Sequence, residues 1–141
     1  TTDVKVRDIV LGISASTDSA INQPVFAPYT YAPFADFKLL RTADDHARVH
    51  GLNCHVGGLV SSDTFYLDES AAAYATLARH GVLAVEMEAS TLYTLARRFG
   101  ARALAMCTVS DCLITGEELA PEGRERSLNA MVEMALAAAT A

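Results

Sequence analysis

Four short apolar runs, each separated from the next by a stretch of helical periodicity, leave this chain few ways to fold. The runs are DIVLGISAS (Asp8 to Ser16), His55 to Ser61, Val82 to Val85 and Ala103 to Val109. Each is the length of a buried strand and ends in a polar or glycine-containing turn. Between and after them, apolar residues recur at helical spacing. One set is Phe34, Phe37, Leu40 and Ala47, ending near Gly51. A second is Ala71, Tyr74, Ala75 and Ala78, with Asp68 as its cap and Gly81 as its stop. A third is Ala89, Leu92, Tyr93 and Ala96, closed by Gly100. A last helix carries Leu128, Met131, Val132 and Ala135, with Pro121 in its first turn. The segment from Asn22 to Pro33 holds three prolines and reads as loop. Strands alternating with helices predict an α/β sheet with helices on both faces.

The 141 residues make one domain or a piece of one, and 51% hydrophobic against 20% charged residues supplies a core and excludes disorder. A formal net charge of −6 with no Lys/Arg-rich run argues against nucleic-acid or anionic-membrane binding through bulk charge. No apolar run is long enough to cross a bilayer, and TTDVKVRD does not read as a signal peptide. Cys54, Cys107 and Cys112 form no CxxC pair, which fits reduced thiols in a cytoplasmic protein. The Thr-Thr start without a methionine leads us to expect a processed or truncated chain.

The residues with chemical potential sit where strands end. VEMEAS (Val85 to Ser90) places two glutamates directly after an apolar run. If the strand continues, Glu86 and Glu88 share a face; if a helix starts, they sit at its N-terminus, where carboxylates are favoured. Such acids are either helix-start residues facing water or paired acceptors, able to take the two hydroxyls of a vicinal diol side by side. Met87 between them could lie against an apolar sugar face or belong to the core. TVSD (Thr108 to Asp111) puts an acid at the end of the fourth run, as a general acid or base or as an Asx-turn residue. Arg124 opposes the dipole of the last helix, which suits a cation with a partner, Asp111 or a ligand, or a solvated surface arginine. Phe65-Tyr66 offers an aromatic face to a planar ligand or to the core. His46 and His50 are one helical turn apart, but no acidic or cysteine ligand accompanies them and no metal is expected.

Taken together, ISASTDSAIN, FADF, SSDTFY, VEMEAS and TVSD resemble, in order and spacing, the bacterial-type hexameric purine nucleoside phosphorylases, over nearly the whole chain. The wider nucleoside phosphorylase superfamily has similar EME segments. Uridine phosphorylases lack the TVSD acid, and methylthioadenosine/adenosylhomocysteine nucleosidases resemble this chain less at ISASTDS and SSDTFY. The resemblance implies a mixed-sheet α/β sandwich, here without its N-terminal strands. It implies that Glu88 grips the ribose hydroxyls and Met87 packs on the sugar. Phe65, Val85 and Glu86 line the base site, Asp111 protonates purine N7, and Arg124 assists that acid.

The implied reaction is purine nucleoside plus phosphate to free base plus ribose 1-phosphate, with no cofactor and with inorganic phosphate as co-substrate. The family is a cytoplasmic homo-oligomer. Its phosphate-binding glycine and arginines lie in an N-terminal portion that these residues do not match, so another segment or chain is expected to supply them. Two positions depart from the family pattern: Cys112 stands where histidine is common, and Gln23 where arginine is common. The competing readings are a nucleosidase-type hydrolase, which needs no phosphate, and a non-catalytic nucleoside-binding fragment.

Overall fold

The computed structural model describes residues 1, 3–64 and 70–141, and the side chains of all of these except 70–71 and 121–127. Its frame is a four-stranded mixed sheet in the order β3-β2-β1-β4. β1 (Ile9–Thr17) pairs in parallel with β2 (Cys54–Ser61) over its whole length, from Ile9↔Cys54 to Thr17↔Ser61. β3 (Val82–Glu86) extends the sheet in parallel beyond β2. β4 (Ala105–Thr108) runs antiparallel to the first half of β1, from Ile9↔Thr108 to Gly12↔Ala105. Past Gly12, β1 changes its outer neighbour to the segment around Phe34, through Ala35 N–H to Ile13 C=O (3.1 Å) and Ala15 N–H to Pro33 C=O (3.1 Å).

The apolar residues of β1 alternate as a strand buried on both faces should. Val10 joins Leu59, Ala89 and Tyr93 under α4 (Ala89–Arg98). Ile9 and Leu11 face the other way, onto Leu40, Ala43 and Ala47 of α2 (Phe37–Val49) and Met134 and Ala138 of α5 (Pro121–Thr140). A register shift between Gly12 and Ser14 reverses the parity, so Ala15 falls on the same face as Val10. Asp36 starts α2 by accepting the N–H groups of Lys38 (3.0 Å) and Leu39 (3.1 Å). α3 (Ser70–Arg79) packs along β3 and is stopped by Gly81, whose φ of 83° suits a residue without Cβ. Asp8, buried at the start of β1, is held by His55 Nε2 (2.8 Å) and Lys5 N–H (2.9 Å).

Several expectations need correction. A short helix, α1 (Gln23–Phe26), interrupts the expected loop after Asn22. Phe34 precedes α2, and Phe37 in its first turn is 70% exposed; the buried face is Leu40, Ala43 and Ala47. Ala75 of α3 is exposed, and its inward face is Tyr74, Leu77 and Ala78. In α4, Tyr93 is fully buried while Leu92 is exposed. In α5 the buried stripe is Met134 and Ala138, with Leu128 and Val132 facing out. The expected cap Asp68 lies outside the described residues.

Candidate active site

The junction of β3 and α4 is built by a polar relay that begins on β2. Ser61, the last residue of β2, lies beside Glu86, the last of β3. Its hydroxyl donates to Glu86 Oε1 and accepts the N–H of Ser90 (2.8 Å). Glu86 Oε2 in turn accepts the N–H of Glu88 (2.8 Å) and of Ala89 (2.6 Å). Glu88 occupies the N-cap position of α4, but its side chain makes no capping bond. Glu86 performs that task from two residues upstream, satisfying amides that a helix start leaves unpaired and placing its charge at the favourable end of the dipole. Asn22 reaches the same helix, Nδ2 to Ser90 Oγ, at 3.5 Å.

The two glutamates therefore part company. Glu86 is half-buried with both carboxylate oxygens engaged, whereas Glu88 is exposed and its carboxylate holds no hydrogen bond among the described residues. Met87 between them is 40% exposed. Both carboxylates lie near β4: together with its burial, the larger cause, they raise the Cys107 thiol to about 11.

Asp111 follows β4 in an exposed turn. The Ser110 hydroxyl donates to its Oδ2 (2.5 Å), and its backbone bridges to Glu118. The turn closes through Cys112 N–H to Glu117 C=O (2.7 Å) and Leu119 N–H to Ser110 C=O (2.8 Å). Cys112, where the resembled family commonly has histidine, has its thiol lowered from the ordinary range, mainly by a hydrogen bond with Thr115. Val85 and Asp111 line one cleft of about 80 Å³, with Val4, Tyr74, Leu83 and Ile114 among its other walls. That volume is well under the roughly 300–1,000 Å³ of a small-molecule pocket, so the cleft by itself does not enclose a ligand of that size.

Of the residues singled out from sequence, Val85 and Asp111 line the same cleft, and Glu86, Met87 and Glu88 continue from Val85 at the end of β3. Phe65 lies outside the described residues, as does the side chain of Arg124, whose backbone is in the first turns of α5. His46 and His50 stack ring on ring at 4.0 Å, with His50 Nδ1 on the carbonyl of His46 (2.8 Å).

Sequence reasoning passed over three groups. Ser61 had been read only as a strand end. Asp18, after β1, accepts Ser62 Oγ (2.7 Å) and Asp63 N–H (2.9 Å), bonds that lower its carboxyl below the usual range. The Tyr93 hydroxyl donates to the Gly12 carbonyl (2.5 Å) and accepts Ala105 N–H (2.9 Å), bridging β1 and β4 where they part. A serine or aspartate repeated at successive strand ends was the available signal for the first two. Nothing local marks the third.

Comparison with known proteins matches the phosphorylase superfamily to residues 1–141. A purine nucleoside phosphorylase DeoD-type of Geobacillus kaustophilus is 53% identical over 137 residues, covering 97% of this chain and 57% of that protein. Proteins of the same name from Anoxybacillus flavithermus and Listeria welshimeri are 48% and 50% identical, over 95% and 97% of this chain and 56% and 58% of their own lengths. The chain thus spans a little over half the length of the curated relatives it matches. The family match runs from residue 1 to residue 141, and the chain belongs to the phosphorylase superfamily.

Proposed function

We propose that this chain carries the base, ribose and general-acid elements of a purine nucleoside phosphorylase. The observation that carries the reading is the division of labour in VEMEAS. Glu86 is spent on the helix start, which leaves Glu88 presented to solvent, next to a cleft that Val85 shares with Asp111. An exposed carboxylate whose oxygens hold no hydrogen bond among the described residues suits a diol. The relatives' shared name, purine nucleoside phosphorylase, supports the same reaction.

In this reading Glu88 accepts the ribose hydroxyls and Met87 lies on the sugar. Val85 and Phe65 flank the purine, and the Glu86 segment forms the edge of the base site. As the glycosidic bond lengthens, positive charge grows on the sugar and negative charge on the leaving purine. Asp111 delivers a proton to N7, and Arg124 steadies that acid, so the base departs neutral. Phosphate attacks the sugar carbon and ribose 1-phosphate forms; no cofactor enters. The phosphate ligands come from another segment or another subunit of a cytoplasmic homo-oligomer. No helix among the described residues is long and apolar enough to cross a membrane.

The test compares Asp111→Asn with the unsubstituted enzyme on inosine and on 7-methylinosine. Asparagine has no proton to give, and the 7-methyl nucleoside needs none. Inosine cleavage falls by about 10²–10⁴-fold while 7-methylinosine cleavage changes little. Equal losses on both would remove Asp111 from the acid's role. Cleavage that ignores phosphate would make the enzyme a hydrolase.

A further inference from the structure

We infer that Glu86 and Ser61 form a positioning pair for Glu88, and that the Glu86 carboxylate acts through the α4 backbone rather than by touching the substrate; this rests on the reading of Glu88 as the sugar-binding acid. Ser61 is 4% and Ser90 1% exposed, so the relay lies in the protein and not at its surface. Its members come from three elements: the end of β2, the end of β3 and the first turn of α4. The hydroxyl of Ser61 is satisfied on both sides, giving its proton to Glu86 and taking that of Ser90. Glu86 closes a short loop on itself by accepting the amide of the residue two ahead, Glu88. That bond fixes the peptide from which the Glu88 side chain departs.

A second constraint holds the same turn. Ser62 N–H donates to the Glu86 carbonyl (2.9 Å), so main chain and side chain of Glu86 are both tied to the end of β2. The helix behind is anchored by Tyr93 on β1 and β4. Residues 87 and 88 are thus an exposed two-residue step between two fixed points. The Glu88 carboxylate, bonded to nothing among the described residues, takes its starting direction from that backbone.

The alternative is that Glu86 meets the purine directly. Its two oxygens already take three donors, Ser61 Oγ and the amides of Glu88 and Ala89. A carboxylate so committed would have to give up a helix-capping bond to bind a base.

The experiment is a double-mutant cycle in the assembled enzyme. Glu86→Gln is isosteric and keeps the two amide bonds through its carbonyl oxygen, but it presents an N–H₂ to Ser61 and loses the charge. Ser61→Ala leaves the carboxylate in place and removes its buried donor. The readouts are kcat and KM for inosine and the affinity for free hypoxanthine. Each single substitution lowers kcat/KM for inosine, by up to about 10²-fold as for a misplaced reacting group, and leaves hypoxanthine affinity within about twofold. In a Glu88→Gln background, Glu86→Gln adds little. A merely structural role would lower inosine and hypoxanthine binding together. Loss of hypoxanthine affinity, or full multiplication of the Glu86 and Glu88 effects, would overturn the inference and make Glu86 a base contact. If Glu88→Gln alone leaves inosine kinetics unchanged, the sugar-binding reading fails first and the inference falls with it.

Discussion

Replacing Tyr93 by phenylalanine removes one oxygen atom and tests how α4 is fastened to the sheet. The ring is fully buried and the hydroxyl bridges two main-chain groups, Gly12 C=O at 2.5 Å and Ala105 N–H at 2.9 Å. Phenylalanine keeps the packing and leaves an amide and a carbonyl without the partner they had. Each buried group left unsatisfied costs about 1–3 kcal/mol, and the second lone pair of the carbonyl brings the sum toward the lower end, about 2–4 kcal/mol. At a typical urea dependence of about 1–3 kcal/mol per molar, the unfolding midpoint falls by about 1–2 M. The control is Tyr29→Phe, whose ring is 81% exposed and whose change stays within about 0.5 kcal/mol. Hydrogen exchange supplies a local reading: the Ala105 amide exchanges faster in Tyr93→Phe than in the parent. Alkaline absorbance titration supplies another, since burial pushes the Tyr93 phenol up to about 12 and that late step vanishes. A stability within about 0.5 kcal/mol of the parent, the spread of neutral surface changes, would refute the claim that this hydroxyl stitches β1 to β4.

Further outcomes follow from the same geometry. A Cβ added at Gly12 would sit 2.3 Å from Leu59 Cδ1 and 3.0 Å from the Tyr93 hydroxyl, so Gly12→Ala destabilises by about 1–3 kcal/mol in thermal or urea unfolding. The Cys107 thiol, raised by burial first and by Glu86 and Glu88 next, sits at about 11 in the folded protein against 9.0. The unfolded chain therefore sheds this proton first, and stability falls as pH rises from about 9 to about 11; Cys107→Ala makes that decline shallower. The Asp18 carboxyl is lowered by Ser62 and Asp63, so its contribution is present above its ordinary 3.8 and is lost as pH falls through the lowered folded value; Asp18→Asn flattens the acid limb of the stability profile. Residues 1–141 purified alone cleave neither inosine nor adenosine in the presence of phosphate, and robust phosphate-dependent turnover by the isolated chain would overturn our placement of the phosphate ligands.

Much of the frame was legible because strand runs and helix stops are local. DIVLGISAS, the Gly81 stop and Pro121 at the head of α5 each announce themselves within a few residues. The facing of helices was less legible. In α5, AMVEMALAAAT carries so much alanine that several stripes compete, and Met134 with Ala138 wins only because α2 and β1 leave room there. Phe37 looked like core by hydrophobicity, yet Asp36 caps the helix so that this residue faces out. The sharpest limit was in VEMEAS. Which glutamate caps the helix depends on Ser61, a residue 25 positions upstream that arrives by strand pairing. A pattern of spacing within six residues contains no trace of it.

The second core cluster has a consequence for how the molecule comes into being. Ile9 and Leu11 are covered on one side by Met134 and Ala138, far downstream in sequence, and the Lys38 ammonium donates to the Ala141 carbonyl at 3.0 Å. During synthesis β1 can find α2 and β2 after loops of modest length, but its far edge and the part of one face that α2 does not cover stay wet until β4 and α5 have emerged. Closing so long a loop costs little more entropy than closing a short one, yet the contacts that reward it arrive last. Until α5 has emerged the nascent chain therefore offers a half-built sheet to whatever else is near. That is the interval in which a chaperone, or a strand from a sister chain, competes with α5 for the same apolar face.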